Sequence, residues 1–279
     1  MTWFIYAIVA IFTASFINIL RRILIKDGDP ISYSIITQLS GALLALSFAI
    51  WKGFEMPPIK EYPLNFALVG ILYAINTLFS FKALKLIEAS QAVIIFSFGT
   101  VVAIISSAVF LKEILTIQRL IGTLFIIISI FLVTKLKNFS VNRGNLYALA
   151  AAVCGGLATV NDTYLLRFSE AVSYTAIGFL LPGILLLFFY PRSVKKFNSF
   201  LKPKTASNIF LLALTWVVSA IAFYTAIEKG ALASQISPIM QSGIILTILL
   251  AVIFLKERDN LPTKIAAGLM TIMGVIMIK

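Results

Sequence analysis

Residues 90–113 read SQAVIIFSFGTVVAIISSAVFLKE, and residues 234–257 read SQISPIMQSGIILTILLAVIFLKE. Ser90-Gln91 returns as Ser234-Gln235, and Phe110-Leu111-Lys112-Glu113 returns as Phe254-Leu255-Lys256-Glu257, both at the same offset. Any two membrane helices share Leu and Ile by chance. Polar landmarks at both ends in a single register do not arise so cheaply, and they mark a duplicated chain.

The copy extends well beyond this block. Tyr6-Ala7 matches Tyr147-Ala148, Lys26 matches Arg167, and Ser32-Tyr33 matches Ser173-Tyr174, all at one common offset slightly shorter than that of the block. Tyr73 and Ala83 match Trp216 and Ala226 at an intermediate offset, and Gly122 matches Gly268 at a slightly longer one. A register that drifts only slowly is what small loop insertions leave in a repeated unit. The reading divides the chain into units 1–138 and 139–279.

Composition decides the solvent. Of 279 residues, 60% are hydrophobic and only 12% charged, more apolar surface than a soluble fold of this size can hide. Ten apolar runs are long enough to cross a bilayer, near 3–20, 31–51, 63–84, 91–111, 117–134, 145–166, 172–190, 206–227, 233–255 and 261–278, since a crossing takes about 20 residues. The first is not read as a cleaved signal peptide, because the earliest basic residue is Arg21. Short connections make successive helices antiparallel neighbours. Turn residues mark the joints at Asp27-Gly28-Asp29-Pro30, Met56-Pro57-Pro58, Asn142-Arg143-Gly144-Asn145 and Pro191-Arg192. The predicted fold is therefore an all-α membrane protein of ten transmembrane helices in two five-helix repeats. Five is odd, so the second repeat enters the membrane inverted, about a pseudo-two-fold axis in the membrane plane.

Charge and reactive residues exclude several classes. The net charge of +12 comes from basic residues between apolar runs, which read as headgroup anchors and not as a nucleic-acid surface. Cys154 is the single cysteine and histidine is absent. No disulfide framework, metal site or cofactor is expected. There is no GxxxxGK[ST] loop for direct ATP drive. Asp27 and Asp29 are the only clustered aspartates, and they lie in a loop, so no enzyme constellation is expected. No repeated filter sequence suggests a channel.

Ten helices in two units, a fourth helix closing on Leu-x-Glu (Leu111-Lys112-Glu113 and Leu255-Lys256-Glu257) and a glycine in the fifth (Gly122 and Gly268) resemble the EamA branch of the drug/metabolite transporter superfamily. The resemblance covers nearly the whole chain. Family members commonly have a proline early in the fourth helix of each unit: Pro238 fits, and Ile94 stands at the equivalent place in the first. They often have a glycine before the glutamate, where this chain has Lys112 and Lys256, and a basic residue early in the second helix, where Gln38 stands. The resemblance implies a transporter with both termini in the cytoplasm. Sixteen of the 23 Lys and Arg fall in odd-numbered connections, which by the positive-inside rule places both termini outside. Orientation stays open between these two.

Site candidates follow from what lipid cannot solvate. Asp162 is the one acid within an apolar run. It is read either as an interfacial group paired with Arg167 or as a proton- or cation-coupling group. Its repeat equivalent is Arg21, so the duplication has no symmetric carboxylate pair. Asn18, Gln38, Asn76, Ser80, Ser97, Asn161, Ser219, Gln235, Ser237 and Gln241 lie in spans and should face the bundle interior, as interhelical glue or as the wall of a polar cavity. Tyr73 and Trp216 stand three residues before Asn76 and Ser219 on the same helical faces, with Tyr224 five residues beyond Ser219. Pro238 is a candidate gating position in the ninth helix. Ser90 and Ser234 read as helix N-caps, and Glu113 and Glu257 as helix ends at headgroup level. The expected function is a secondary carrier in the cell membrane, exporting small organic metabolites such as amino acids by alternating access. A flippase for lipid or lipid-linked sugar is the alternative, and a channel comes after it. The expected partners are a small-molecule substrate and the lipid bilayer; monomer or dimer is left open.

Overall fold

The computed structural model describes residues 2–26, 28–114, 116–135 and 142–278. Asp27 of the first turn and the unit boundary at 138/139 lie outside these residues. The elements in order are α1 (Thr2–Ile25), α2 (Pro30–Lys52), α3 (Pro63–Leu86), α4 (Ala89–Phe96), α5 (Phe98–Phe110), α6 (Ile117–Lys135), α7 (Arg143–Leu165) and α8 (Ala171–Phe189). A 3₁₀ segment (Pro191–Leu201) follows, then α9 (Pro203–Glu228), α10 (Ala233–Met240), α11 (Gly243–Leu250), a π-type turn (Ala251–Leu255) and α12 (Leu261–Ile278). Among the described residues there is no strand.

Six spans are long and apolar enough to cross a membrane by length and composition: α1, α2, α3, α4 with α5, α8 and α9; Gly243–Leu255 is a shorter apolar helix. The run 145–166 lies in a 23-residue helix, α7, whose hydropathy is diluted by Gly155, Gly156, Thr159, Asn161 and Asp162. Ile5, Leu43, Leu64, Phe188 and Ile253 are exposed on the outside of the bundle, a surface suited to lipid. Trp51, 80% exposed, sits beside Lys52 at the end of α2, where an aromatic belt meets the headgroups.

Local capping repeats with the sequence. The Asp29 carboxylate accepts the Ser32 N–H (3.1 Å) and hydroxyl (2.6 Å) at the start of α2. Glu170, its repeat equivalent, accepts the Ser173 N–H (2.7 Å) at the start of α8. Lys52 then pairs with Glu170 at 3.0 Å, and Lys196 of the second unit pairs with Asp29 at 3.2 Å. Partial burial opposes ionisation at both acids, but these hydrogen bonds outweigh it and hold each carboxyl below its ordinary value. Each unit thus clasps the cap of the other. Helix packing shows the same exchange: α1 lies on α9 as α7 lies on α3, α1 meets α11 as α7 meets α5, and α2 packs on α8 and α6 on α12. Reciprocal contacts of this kind are what a two-fold relation produces.

The fourth helix of each unit is broken. The first breaks at Ser97, between α4 and α5, and the second at Gln241–Ser242, between α10 and α11, in the same register as the Ser-Gln and Leu-Lys-Glu landmarks. Beyond the breaks, both glutamates of the Leu-x-Glu signature depart from the reading of plain helix ends. Glu257 reaches across the repeat boundary, accepting the Ala89 N–H (2.9 Å), the Ser90 N–H (3.0 Å) and the Ser90 hydroxyl (2.7 Å). Glu113 accepts the Ser234 N–H at 3.2 Å. Ser90 is therefore not the capping residue; it lies in the first turn of α4 and donates to the acid that caps it. An acid at a helix N-terminus satisfies unpaired N–H groups and opposes the helix dipole.

Candidate functional site

A cavity of about 300 Å³ lies between the two units, walled from the first by Arg21, Tyr73, Asn76, Ser80 and Thr100 and from the second by Gly155, Thr159, Ser237 and Gln241. Both broken helices reach it through Thr100 and Gln241, whose amide donates to the Thr100 hydroxyl at 2.9 Å. The second broken helix also accepts the Thr100 hydroxyl at the Ser237 carbonyl, 3.4 Å. Tyr73, Asn76 and Ser80 follow one face of α3 at helical spacing and form a polar rail along the cavity. Beside it α5 and α7 cross in backbone contact: a Cβ on Gly156 would lie 2.3 Å from the Gly99 carbonyl oxygen. Only glycine permits that approach.

One end of the cavity leads to an acid and the other to a base. Asp162, fully buried on α7, accepts hydroxyl hydrogen bonds from Tyr73 of α3 (2.5 Å) and Tyr174 of α8 (2.6 Å). Tyr224 of α9 donates to the Tyr73 hydroxyl at 2.9 Å. Asp162 has no ion pair among the described residues. Arg167 instead faces the Tyr164 ring at 5.9 Å, so the interfacial reading of Asp162 does not describe its surroundings.

Arg21 occupies the mirrored setting. Its guanidinium lies over the Trp216 ring at 3.8 Å and near the Phe81 ring at 5.4 Å, and Phe81 stacks on Tyr33 at 6.4 Å. Trp216, Phe81 and Tyr33 are the repeat equivalents of Tyr73, Tyr224 and Tyr174. One aromatic cage has been built twice, around opposite charges.

The other sequence candidates are placed as follows. Gln38 donates to the Thr77 hydroxyl at 2.6 Å, tying α2 to α3. Ser97 donates to the Ile94 carbonyl at the break in the fourth helix, 2.6 Å. Ser219 donates to the Ala10 carbonyl at 3.2 Å. Gln235 accepts the Leu232 N–H at 3.5 Å within a turn. Asn18 is half-buried on α1, away from the cavity. Asn161 pairs reciprocally with Asn65, accepting its side-chain amide at 2.7 Å and donating to its carbonyl at 3.0 Å, at the edge of a second, more apolar cavity of about 450 Å³. Pro238 is in α10, three residues before the helix break; its side chain is not among those described. Trp216 acts through Arg21 and is not on the cavity wall.

Sequence reasoning alone does not single out Arg21, Thr100 and Tyr174 as site residues. Arg21 has the clearest available signal, its alignment with Asp162, but it follows directly on an apolar run and so looks like a headgroup anchor. The correction is that α1 continues to Ile25, which keeps Arg21 inside the helix and turns it inward, 7% exposed.

The model of the EamA-like transporter family matches residues 1–135 and again residues 142–279. A solved crystal structure superposes with a TM-score of 0.71 over 99% of this chain and 97% of its own, at 15% sequence identity. That likeness is one of fold. Comparison with curated protein sequences finds no match.

Proposed function

Since the chain belongs to the EamA-like transporter family, whose members are multi-pass membrane transporters, we propose that it is a secondary carrier of the cell membrane that exports small organic metabolites such as amino acids. In this reading ten membrane helices form two inverted five-helix units, and these rock about the seam to open the cavity to alternate sides. The observation that supports it best is a polar cavity on that seam, walled by both units and by both broken helices. Irregular backbone at membrane depth is tolerated where it lines such a cavity. The breaks at Ser97 and at Gln241–Ser242 supply hinge points, and Pro238 withholds one backbone donor from the turn leading into the second. Asp162 is the group that couples transport to protons or cations: it is a buried acid whose ligands come from α3, α8 and both units, so its ionisation bears on how they pack.

The test is reconstitution into liposomes with labelled amino acids, sugars and amphipathic amines, under and without a pH gradient. Accumulation or counterflow of at least one solute is expected, with Asp162→Asn abolishing its pH dependence. Absence of transport across the panel overturns the carrier reading. Unchanged pH dependence in Asp162→Asn removes the coupling role alone.

A further inference from the structure

We propose that Arg21 is the anchor for a carboxylate on the transported solute, so that the cavity selects small monoanionic or zwitterionic organic acids over neutral and cationic compounds of the same size. This rests on the carrier reading above and deepens it. Arg21 is 7% exposed, lines the cavity, and has an Nε without a hydrogen-bond partner among the described residues. Among the described residues no carboxylate lies within ion-pair distance of it.

The aromatic faces of Trp216 and Phe81 offset part of the desolvation of the charge. They satisfy none of its N–H donors, because a ring face is attracted to the cation without accepting its in-plane hydrogens along their own directions. A buried cation with an unpartnered Nε is costly until an anion compensates it. A planar carboxylate matches the guanidinium fork in two parallel hydrogen bonds. The rest of the wall fits the remainder of such a solute. Asn76, Ser80, Thr100 and Gln241 offer uncharged donors and acceptors, and Phe96 and Phe223 offer apolar surface. None of these would repel a carboxylate. The one nearby acid, Asp162, is held behind the Tyr73 hydroxyl and is not on the cavity wall.

The rail from Tyr73 to Ser80 spans seven helical steps, about 10 Å at roughly 1.5 Å per residue. That length accommodates a carboxylate at the Arg21 end and a short side chain toward Tyr73. A zwitterion would place its ammonium among the neutral acceptors, and a simple monocarboxylate would leave them to water.

The experiment uses the full chain in liposomes with matched pairs: labelled amino acids and short monocarboxylates against their primary amides, which keep size and shape but lose the charge. Wild-type protein is expected to transport members of the acid set and to prefer each acid over its amide. Arg21→Gln should reduce apparent affinity for the acids roughly ten- to a hundredfold, as loss of a charged hydrogen bond does, and so collapse the acid-over-amide preference by a similar factor. Arg21→Lys should restore part of the preference, since it keeps the charge and loses the fork. Size-exclusion monodispersity in detergent establishes that each variant is folded; if Arg21→Gln fails it, the acid-over-amide preference of the wild-type protein decides alone.

A wild-type protein that transports neutral or cationic solutes and excludes the acids overturns the anchor and leaves the carrier reading standing. So does an acid preference unaltered in folded Arg21→Gln. Failure to transport any member of either set overturns the anchor, and failure across the sugars and amphipathic amines as well overturns the carrier reading.

Discussion

The Asp162 and Arg21 cages occupy equivalent places in the two units, yet they hold their charges by different physics. Around Asp162 the aromatic residues are Tyr73, Tyr174 and Tyr224, and their hydroxyls form a chain ending on the carboxylate. Around Arg21 the corresponding rings are Trp216, Tyr33 and Phe81, two of which present their faces to the guanidinium. An anion needs donors and a cation needs electron density: where Tyr73 and Tyr224 bring hydroxyls, Trp216 and Phe81 bring ring faces, while Tyr33 keeps its hydroxyl and packs on Phe81. What differs is completeness. Asp162 is satisfied by protein alone, whereas Arg21 keeps an unpartnered Nε. Duplication supplied the scaffold, and divergence left the acid end with its hydrogen bonds made by protein and the basic end with an Nε that has no partner among the described residues.

The sharpest way to break that comparison is to strip the hydroxyls from the closed cage. In the double variant Tyr73→Phe with Tyr174→Phe the rings remain, but the buried carboxylate loses both donors, at a cost of about 3–5 kcal/mol. The unfolding midpoint in detergent should fall accordingly. Tyr33→Phe, the equivalent change in the Arg21 cage, should move it by no more than about 0.5 kcal/mol, because Tyr33 meets its neighbours through its ring. Equal shifts would mean that the two cages do not differ as argued.

The same asymmetry recurs at the ends of the broken helices. Glu257 accepts three hydrogen bonds from the start of α4 and lies 3.9 Å from Arg22. Glu113 accepts one from the start of α10, and among the described residues its Oε1 and the Ser234 hydroxyl have no partner. Lys264 and Glu88 add a further ion pair on the Glu257 side. The Glu257 end of the seam is latched and the Glu113 end is looser. Glu257→Gln should destabilise by about 2–3 kcal/mol and Glu113→Gln by less than about 1 kcal/mol, following the number of charge-assisted bonds lost. Paired melts of the two variants measure it, and a larger loss in Glu113→Gln would reverse the assignment of the latched end.

A smaller effect is expected at Trp216. Trp216→Leu removes the ring beneath Arg21 and should cost about 2 kcal/mol. It should also weaken solute binding, because the guanidinium loses the surface that positions it; Trp216→Phe should retain most of both. Competition curves for a transported solute separate the two substitutions. Superimposable curves for wild type and Trp216→Leu would make the ring a packing residue only.

These contrasts also show what a single sequence can and cannot convey. Repeat landmarks in a slowly drifting register carry the two-unit organisation, because polar residues in a lipid-facing chain are few and their spacing is informative. Tyr73, Asn76 and Ser80 share a helical face by simple spacing, and all three stand on the cavity wall. Arg21 is harder to read, since an arginine after an apolar run is normally a snorkelling anchor and only the extra turn of α1 distinguishes the two. The partner of Glu257 is illegible for a different reason: Ala89 and Ser90 lie in the other unit, far away along the chain, and nothing local in either segment announces the contact. Symmetry alone could have suggested it, since Ser90 and Glu257 exchange with Ser234 and Glu113.

The smallest effect concerns a place where the two units agree. Lys112 and Lys256, each just before its glutamate, both adopt φ of +58°, the left-handed region in which a side chain costs roughly 1–2 kcal/mol and glycine almost nothing. Both side chains are exposed, so their removal sacrifices little packing. Glycine loses more backbone freedom on folding, about 0.5–1 kcal/mol, which leaves a net gain of a few tenths to about 1 kcal/mol for Lys112→Gly or Lys256→Gly. Lys256→Ala is the control, because it removes the charge but keeps the Cβ that causes the strain. The midpoint should therefore rise for glycine and stay level for alanine at both positions. A rise at one position only would show that the strain is shared unequally after all, and a fall in Lys256→Gly would mean that the left-handed turn, once loosened, no longer aims Glu257 at the start of α4.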